Sequence, residues 1–204
     1  MTITALFPTG KTKTRVQIDF DRSFILNNRE LVQYGIRLDE ELSDAAFEEI
    51  QQSLYRRAVR TCGELLGKMD YTEGALTDKL LDRGYPEDIV KSAIDVLKKA
   101  GYVDDGRYAR NYVLAHIEDR SLRRIRADLK RRGISDTLAD EAFAEWEEEN
   151  GIAPDEKEEG QIRQLLQKKR YHPETADWQE TQKIMSFLAR RGYSTEQIRR
   201  AVHP

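Results

Sequence analysis

This chain has one cysteine and three histidines among 204 residues, and that scarcity excludes much chemistry. A lone Cys62 forms neither a disulfide framework nor a cysteine metal cluster. His116, His172 and His203 stand far apart, without metal-ligand spacing. No glycine-rich sequence joins a strand to a helix as a phosphate-cradling loop does. No serine, histidine and acid share a hydrolase signature. No apolar run reaches the length of a membrane span, and no signal-peptide pattern opens the chain. The expectation is a cytoplasmic protein with no metal or cofactor. The best carboxylate pair, Asp104 and Asp105, falls where a helix N-cap is expected, and capping is the stronger reading of it. Nothing in the residues argues for an enzyme.

What the chain does have is a repeat. The first copy is Leu76, Leu80, Arg83, Gly84, Tyr85, then Ala93 and Ile94. The second is Ile125, Leu129, Arg132, Gly133, Ile134, then Ala142 and Phe143. The third is Ile184, Leu188, Arg191, Gly192, Tyr193, then Ala201 and Val202. Apolar residues four apart share one stripe of a helix. A glycine just past that stripe suits the left-handed position that ends a helix, and the apolar residue after it folds back on the last turn. A basic residue before each glycine meets the helix's negative end. Ser135 and Ser194 are good N-caps for the helix that follows, and Pro86 suits a first helical position. A further helix precedes each pair, at 44–69, 104–117 and 155–169. In the first of these, Phe47, Ile50, Leu54, Ala58, Cys62, Leu65 and Met69 step by threes and fours, so Cys62 belongs to the core.

The fold expected is mainly α: three tandem three-helix repeats in an elongated curved array, preceded by a small antiparallel β meander. The expected divisions are 1–42 for the meander and a short helix, then 43–101, 102–152 and 153–204 for the repeats. In the meander, residues 15–20 and 23–26 alternate with the strand period, with Asp21 and Arg22 as the turn, and 3–7 adds a third strand. Residues 28–34 form a short helix stopped by Gly35, with Ile36 folding back. Sheets this small are marginal alone, so the meander must dock on the first repeat or on a partner. Lys11, Lys13 and Arg15 give it a basic start, which suits an edge strand that discourages aggregation.

A net charge of −3 conceals segregation. Residues 119–132 hold seven cations (Arg120, Arg123, Arg124, Arg126, Lys130, Arg131, Arg132) against Asp119 and Asp128. Residues 145–159 hold eight acids against Lys157 alone. Arg190, Arg191, Arg199 and Arg200 form a second basic group. Individual residues fit a solvated face with local pairs such as Arg124–Asp128. The basic helix as a whole fits a binding face, because most of its cations lack a partner within the segment.

Residues 101–105 (Gly-Tyr-Val-Asp-Asp), Tyr108-Ala109, Tyr112-Val113 and the Ile125–Leu129–Gly133–Ile134 spacing together resemble the RecX family of regulatory proteins. The likeness is firm over 72–134 and looser to the C-terminus, and the meander looks like the extension of some members. Two residues depart from the pattern. Ala75 stands where the family usually has Glu, leaving the capping box of Thr72 incomplete. Ser121 stands where it usually has Gly. An insertion near 171–178 lengthens the third copy. The resemblance implies a non-enzymatic modulator of the RecA recombinase, a monomer that binds the RecA filament on single-stranded DNA and suppresses ATP hydrolysis and strand exchange. Charge clustering then nominates Arg123, Arg124, Arg126, Lys130 and Arg131 as contacts to phosphate or acidic filament surface. Arg190, Arg191, Arg199 and Arg200 come second.

Two other readings stand beside this one. A helix pair with a glycine turn also fits a sequence-specific helix-turn-helix regulator. Against that, the Arg-rich helix precedes the turn, whereas base readout normally belongs to the second helix. A general helical-repeat scaffold is the third reading.

Overall fold

The computed structural model describes residues 1–203, and the chain divides into two compact units, Met1–Asp104 and Asp105–Pro204. The first unit opens with strands β1 (Ile3–Pro8), β2 (Lys13–Ile18) and β3 (Arg22–Asn27), which pair antiparallel in the order β1-β2-β3. Alternation sends Val16 and Ile18 of β2 and Phe24 and Leu26 of β3 to one buried face. The reversal between β2 and β3 comes earlier than the expected Asp21–Arg22. Asp19 and Phe20 take the positive-φ conformations (48° and 65°), and Phe20 projects into solvent. Lys13 and Arg15 lie on the central strand, so they protect no edge. The β1 edge is covered instead by the backbone: the Ile3 N–H donates to the Glu40 carbonyl and the Asp39 N–H to that of Ile3, each at 3.0 Å.

The sheet does dock on the first repeat. Helix α1 (Asn28–Gln33) ends as Ile36 folds back, its N–H donating to the Leu31 carbonyl at 2.8 Å. Helices α2 (Asp44–Leu66), α3 (Glu73–Asp82) and α4 (Glu87–Lys99) follow. The buried face of the sheet shares one core with Ile50, Leu54, Ala58 and Cys62 of α2, Leu76 and Leu80 of α3, and Val90, Ala93 and Ile94 of α4. Phe24 and Phe47 meet there with ring centroids 6.4 Å apart. Cys62 is fully buried, as its place on the apolar stripe predicts. Thr72 caps α3 by accepting from the Ala75 N–H at 3.1 Å. Pro86 sits immediately before α4 rather than inside it.

The second unit carries α5 (Asp105–His116), α6 (Leu122–Arg131) and α7 (Asp136–Asn150), then α8 (Pro154–Lys168), α9 (Trp178–Arg190) and α10 (Thr195–Val202). Each triple has its own core. Val113, Ile125, Leu129 and Phe143 centre the first, and Ile162, Leu166, Ile184, Leu188 and Val202 the second. The third copy is longer in three places: α8 and α9 have 15 and 13 residues where α5 and α6 have 12 and 10, and the segment 169–177 between α8 and α9 is longer than 117–121.

The three repeat glycines close their helices in one way. Gly84, Gly133 and Gly192 have φ of 79°, 84° and 97°. The residues after them, Tyr85, Ile134 and Tyr193, donate N–H to the carbonyls of Leu80, Leu129 and Leu188 at 3.2, 3.1 and 3.4 Å. The glycine N–H groups reach Leu81, Lys130 and Ala189 at 2.8, 3.0 and 2.9 Å. This paired pattern satisfies the last carbonyls and needs a left-handed residue, which glycine supplies without strain.

Candidate partner-binding surface

Helix α6 turns Ile125 and Leu129 inward and its cations outward, with one exception to the usual sorting of charge: Asp128 is 1% exposed. A carboxylate in that position must be paired. It accepts from the Tyr112 hydroxyl at 3.1 Å, from Arg120 Nη1 at 2.8 Å and from the Arg131 guanidinium, and Arg124 Nε stands 3.4 Å away. Burial alone drives its pKa up. The hydrogen bonds from Arg131, Tyr112 and Arg120 and the charge of Arg124 outweigh it, and the net shift is downward. Arg132 completes the cluster, lying 4.8 Å from the Tyr112 ring centroid and donating to the Tyr108 hydroxyl at 3.0 Å. Tyr108 and Tyr112 are therefore packing and pairing groups.

The fold supplies several cations of 119–132 with ion-pair partners from within the segment and beyond it. One buried aspartate serves three arginines, and the acids of α7 fold back to supply more. Arg126 pairs with Asp140 and lies 4.8 Å from the Phe143 ring centroid. Lys130 pairs with Asp136 at 3.4 Å. A count confined to one segment misses both, because the glycine turn at Gly133 returns the chain alongside itself. Arg123 has no ion pair among the described residues. Arg124 and Arg131 keep 57% and 66% of their side-chain surface in solvent, so each still presents positive charge.

The structure also brings together two basic groups some seventy residues apart, since Ser121 and Arg191 are separated by 70 positions. Ser121 Oγ accepts from the Arg124 N–H at 3.3 Å, capping α6, and donates to the Arg191 carbonyl at 2.9 Å. A Cβ on Gly192 would lie 3.6 Å from Arg124 Cβ. The start of α6, with Arg123 and Arg124, therefore abuts the turn that carries Arg190 and Arg191. Beneath it lies a polar seat. Buried Glu158 accepts from the Leu122 N–H at 2.9 Å and from Gln197 Nε2 at 2.6 Å. Gln161 donates to the Ile117 carbonyl and accepts from the Tyr193 hydroxyl at 3.3 Å. Burial raises the Glu158 pKa despite the two hydrogen bonds that favour its ionised form.

The remaining nominated residues divide. Arg190 and Arg199 are exposed, with no ion pair among the described residues. Arg191 lies 4.8 Å from the Phe187 ring centroid, which Lys169 also approaches at 5.0 Å. Arg200 is paired with Glu159 at 3.1 Å and Glu196 at 3.6 Å. Arg123, Arg126 and Arg200 share a groove of about 820 Å³ with Asp140, Glu147 and Glu159, so the groove itself is mixed in charge. Exposed positive charge lies on Arg123 and Arg124 and on the turn with Arg190 and Arg191 that they abut, and also on Arg131 and Arg199. Sequence reasoning missed Glu158, Gln161 and Gln197, which sit among solvated-looking polar residues. Ser121 carried a legible signal, an N-cap residue just before the amphipathic, basic helix α6.

The two units thus define a protein of tandem three-helix modules with a sheet docked on the first and polar seams joining the later two. Models of the successive RecX three-helix domains match the chain in order, the first over residues 58–97, the second over 104–142 and the third over 156–202. The Regulatory protein RecX of Clostridium acetobutylicum is 28% identical over 202 residues, covering 97% of this chain and 92% of the relative. That of Vibrio vulnificus is 31% identical over 147 residues, covering 70% and 88%. A crystal structure of regulatory protein RecX superposes with a TM-score of 0.60 at 20% identity, covering 98% of each chain. The chain belongs to the RecX family of regulatory proteins. Among the described residues, no helix is long and apolar enough to cross a membrane.

Proposed function

We propose that this chain regulates the RecA recombinase. It binds the recombinase filament on single-stranded DNA and inhibits ATP hydrolysis and strand exchange, and so modulates recombination, DNA repair and the SOS response. It acts as a cytoplasmic, non-enzymatic monomer without a cofactor, and its contact with DNA is non-specific, made directly or through the filament. The observation that carries this reading is the ordered match of all three repeats to the successive RecX domains.

The seam geometry supports it. Arg123, Arg124, Arg190 and Arg191 form one positive strip on a seat fixed by Ser121, Glu158 and Gln161, and Arg131 and Arg199 add exposed charge. Arg126, Lys130 and Arg200 reach a partner only by sharing or leaving their acids. Several weak contacts to identical filament subunits would sum to useful avidity. Sequence-specific base readout is disfavoured, because α7, the helix that would enter the groove, is acidic and binds α6 through Asp136 and Asp140.

The test is DNA-dependent ATP hydrolysis by the cognate recombinase. Substoichiometric to near-stoichiometric protein lowers the rate. An unchanged rate across that range, with demonstrably active recombinase, rejects the proposal.

A further inference from the structure

The first unit holds a pocket that the regulator reading does not use. Ile25 of β3 fills the space over Gly84 that a Cβ would otherwise take, so the sheet closes onto the turn between α3 and α4. That closure gathers Lys13 from β2, Arg57, Thr61 and Glu64 from α2, and Arg83 and Tyr85 from the turn around a cavity of about 240 Å³.

The chemistry of this lining is one-sided. Three cations line the cavity with one carboxylate, Glu64, and a second, Glu30, pairs with Arg57. Lys13 and Arg83 make no ion pair among the described residues, and both are exposed. Arg57 gives Nη1 to Glu30 at 3.2 Å, but its Nη2 is sheltered from solvent and has no acceptor. A sheltered charged donor without an acceptor is unfavourable, and a turn of the Arg57 side chain toward an anion in the cavity relieves it. The Thr61 and Tyr85 hydroxyls lie 3.2 Å apart, one donating to the other, which leaves a second hydroxyl hydrogen available at the wall. At about 30 Å³ per water, the cavity has room for a tetrahedral anion with part of its hydration. An apolar or cationic ligand would meet none of these donors.

We infer that this pocket binds a phosphate group, held by Lys13, Arg57 and Arg83. Arginine supplies fork-shaped donors and lysine a point charge, the usual combination for phosphate oxygens. The group comes either as a terminal monoester, free or on a nucleotide, or as a diester of a nucleic-acid backbone. This site stands independently of the recombinase reading, because its residues belong to the first unit and the seam arginines to the second.

The test uses the full-length chain and inorganic phosphate, titrated by ³¹P NMR and thermal denaturation against chloride at matched ionic strength. The wild type shows saturable phosphate binding and stabilisation. Lys13→Ala with Arg83→Ala weakens binding by tenfold or more, while Lys91→Ala, on the exposed face of α4, leaves it unchanged. A 5′-phosphorylated oligonucleotide that competes with phosphate, when its unphosphorylated twin does not, assigns the monoester; competition by both assigns the diester. No saturable effect beyond chloride, or equal affinity in the double variant, overturns the site.

Discussion

Ser121 and Gly192 fit each other as a knob and a gap. Ser121 Oγ stands 2.5 Å from the place a Cβ on Gly192 would occupy. The same oxygen caps α6 and donates to the carbonyl preceding Gly192 at 2.9 Å. One glycine therefore does two things: it ends α9 in the left-handed conformation, and it leaves room for the helix of the preceding repeat. Gly84 does the same for Ile25 of the sheet. Gly84 and Gly192 are points of assembly as well as helix stops.

Gly192→Ala is expected to destabilise the second unit by about 1–3 kcal/mol, from strain at φ of 97° and the clash with Ser121. Ser121→Gly alone loses a cap that glycine largely replaces, plus one hydrogen bond worth about 0.5–1.5 kcal/mol. Combining the two removes the clash, so the double variant should cost less than the sum. Urea denaturation of all four proteins in a double-mutant cycle measures the coupling. Strict additivity would mean that the close approach carries no energy.

Asp128→Ala removes the shared acceptor of Tyr112, Arg120 and Arg131. The arginines remain free to turn to water, so the loss should fall near 1–3 kcal/mol, below that of a sealed ion pair. The folded-state pKa of Asp128 is depressed. Its contribution is therefore complete above the unfolded value of about 3.9, and it is lost as pH falls through the folded value. Denaturation midpoints taken downward from neutral pH should drop more steeply for the wild type than for the variant. Parallel profiles would remove Asp128 from the acid sensitivity of the fold.

The apolar residues of each repeat, and the glycine turns, were legible because they follow from helical period and backbone conformation, which are local. The docked meander was legible for a similar reason: its strands alternate, and a small sheet needs a cover. The pairing of α6 was not. Asp136 and Asp140 reach Lys130 and Arg126 only after the chain turns at Gly133, and Asp128 looks like a surface residue until three arginines converge on it. Charge patterns along a chain count cations, whereas the fold decides which of them are already neutralised. The shift in emphasis from the middle of α6 to the strip joining Arg123 with Arg190 comes from that difference.

Glu158 titrates in the opposite sense to Asp128. Burial raises its pKa, so the folded chain holds this proton more tightly than the unfolded chain. The associated stability is fully present below about pH 4.3, the ordinary glutamate value, and is lost as pH rises through the folded value. Glu158→Gln abolishes that titration. The difference in unfolding free energy between wild type and variant should therefore change with pH above the ordinary glutamate range, wild type losing ground as pH rises. A pH-independent difference would show that the seat of α6 does not titrate.

The unpaired arginines are the cleanest probes of binding. Arg123 and Arg190 have no ion pair among the described residues and are exposed, so Arg123→Ala with Arg190→Ala should hold stability within about 0.5 kcal/mol of wild type. Arg126→Ala is a poorer probe, because it also strips a partner from Asp140 and a cation from the Phe143 ring. If both unpaired arginines neutralise phosphates on single-stranded DNA, the slope of log affinity against log salt should shrink by about 1.4, at roughly 0.7 per charge. Fluorescence anisotropy with a labelled oligonucleotide over a salt series measures it. A slope equal to the wild type means that these side chains touch no phosphate. Retained inhibition of the recombinase by the same double variant would then place the contacts of this strip away from the inhibitory surface, whereas loss of inhibition with an unchanged salt slope would assign them to acidic side chains of the protein partner.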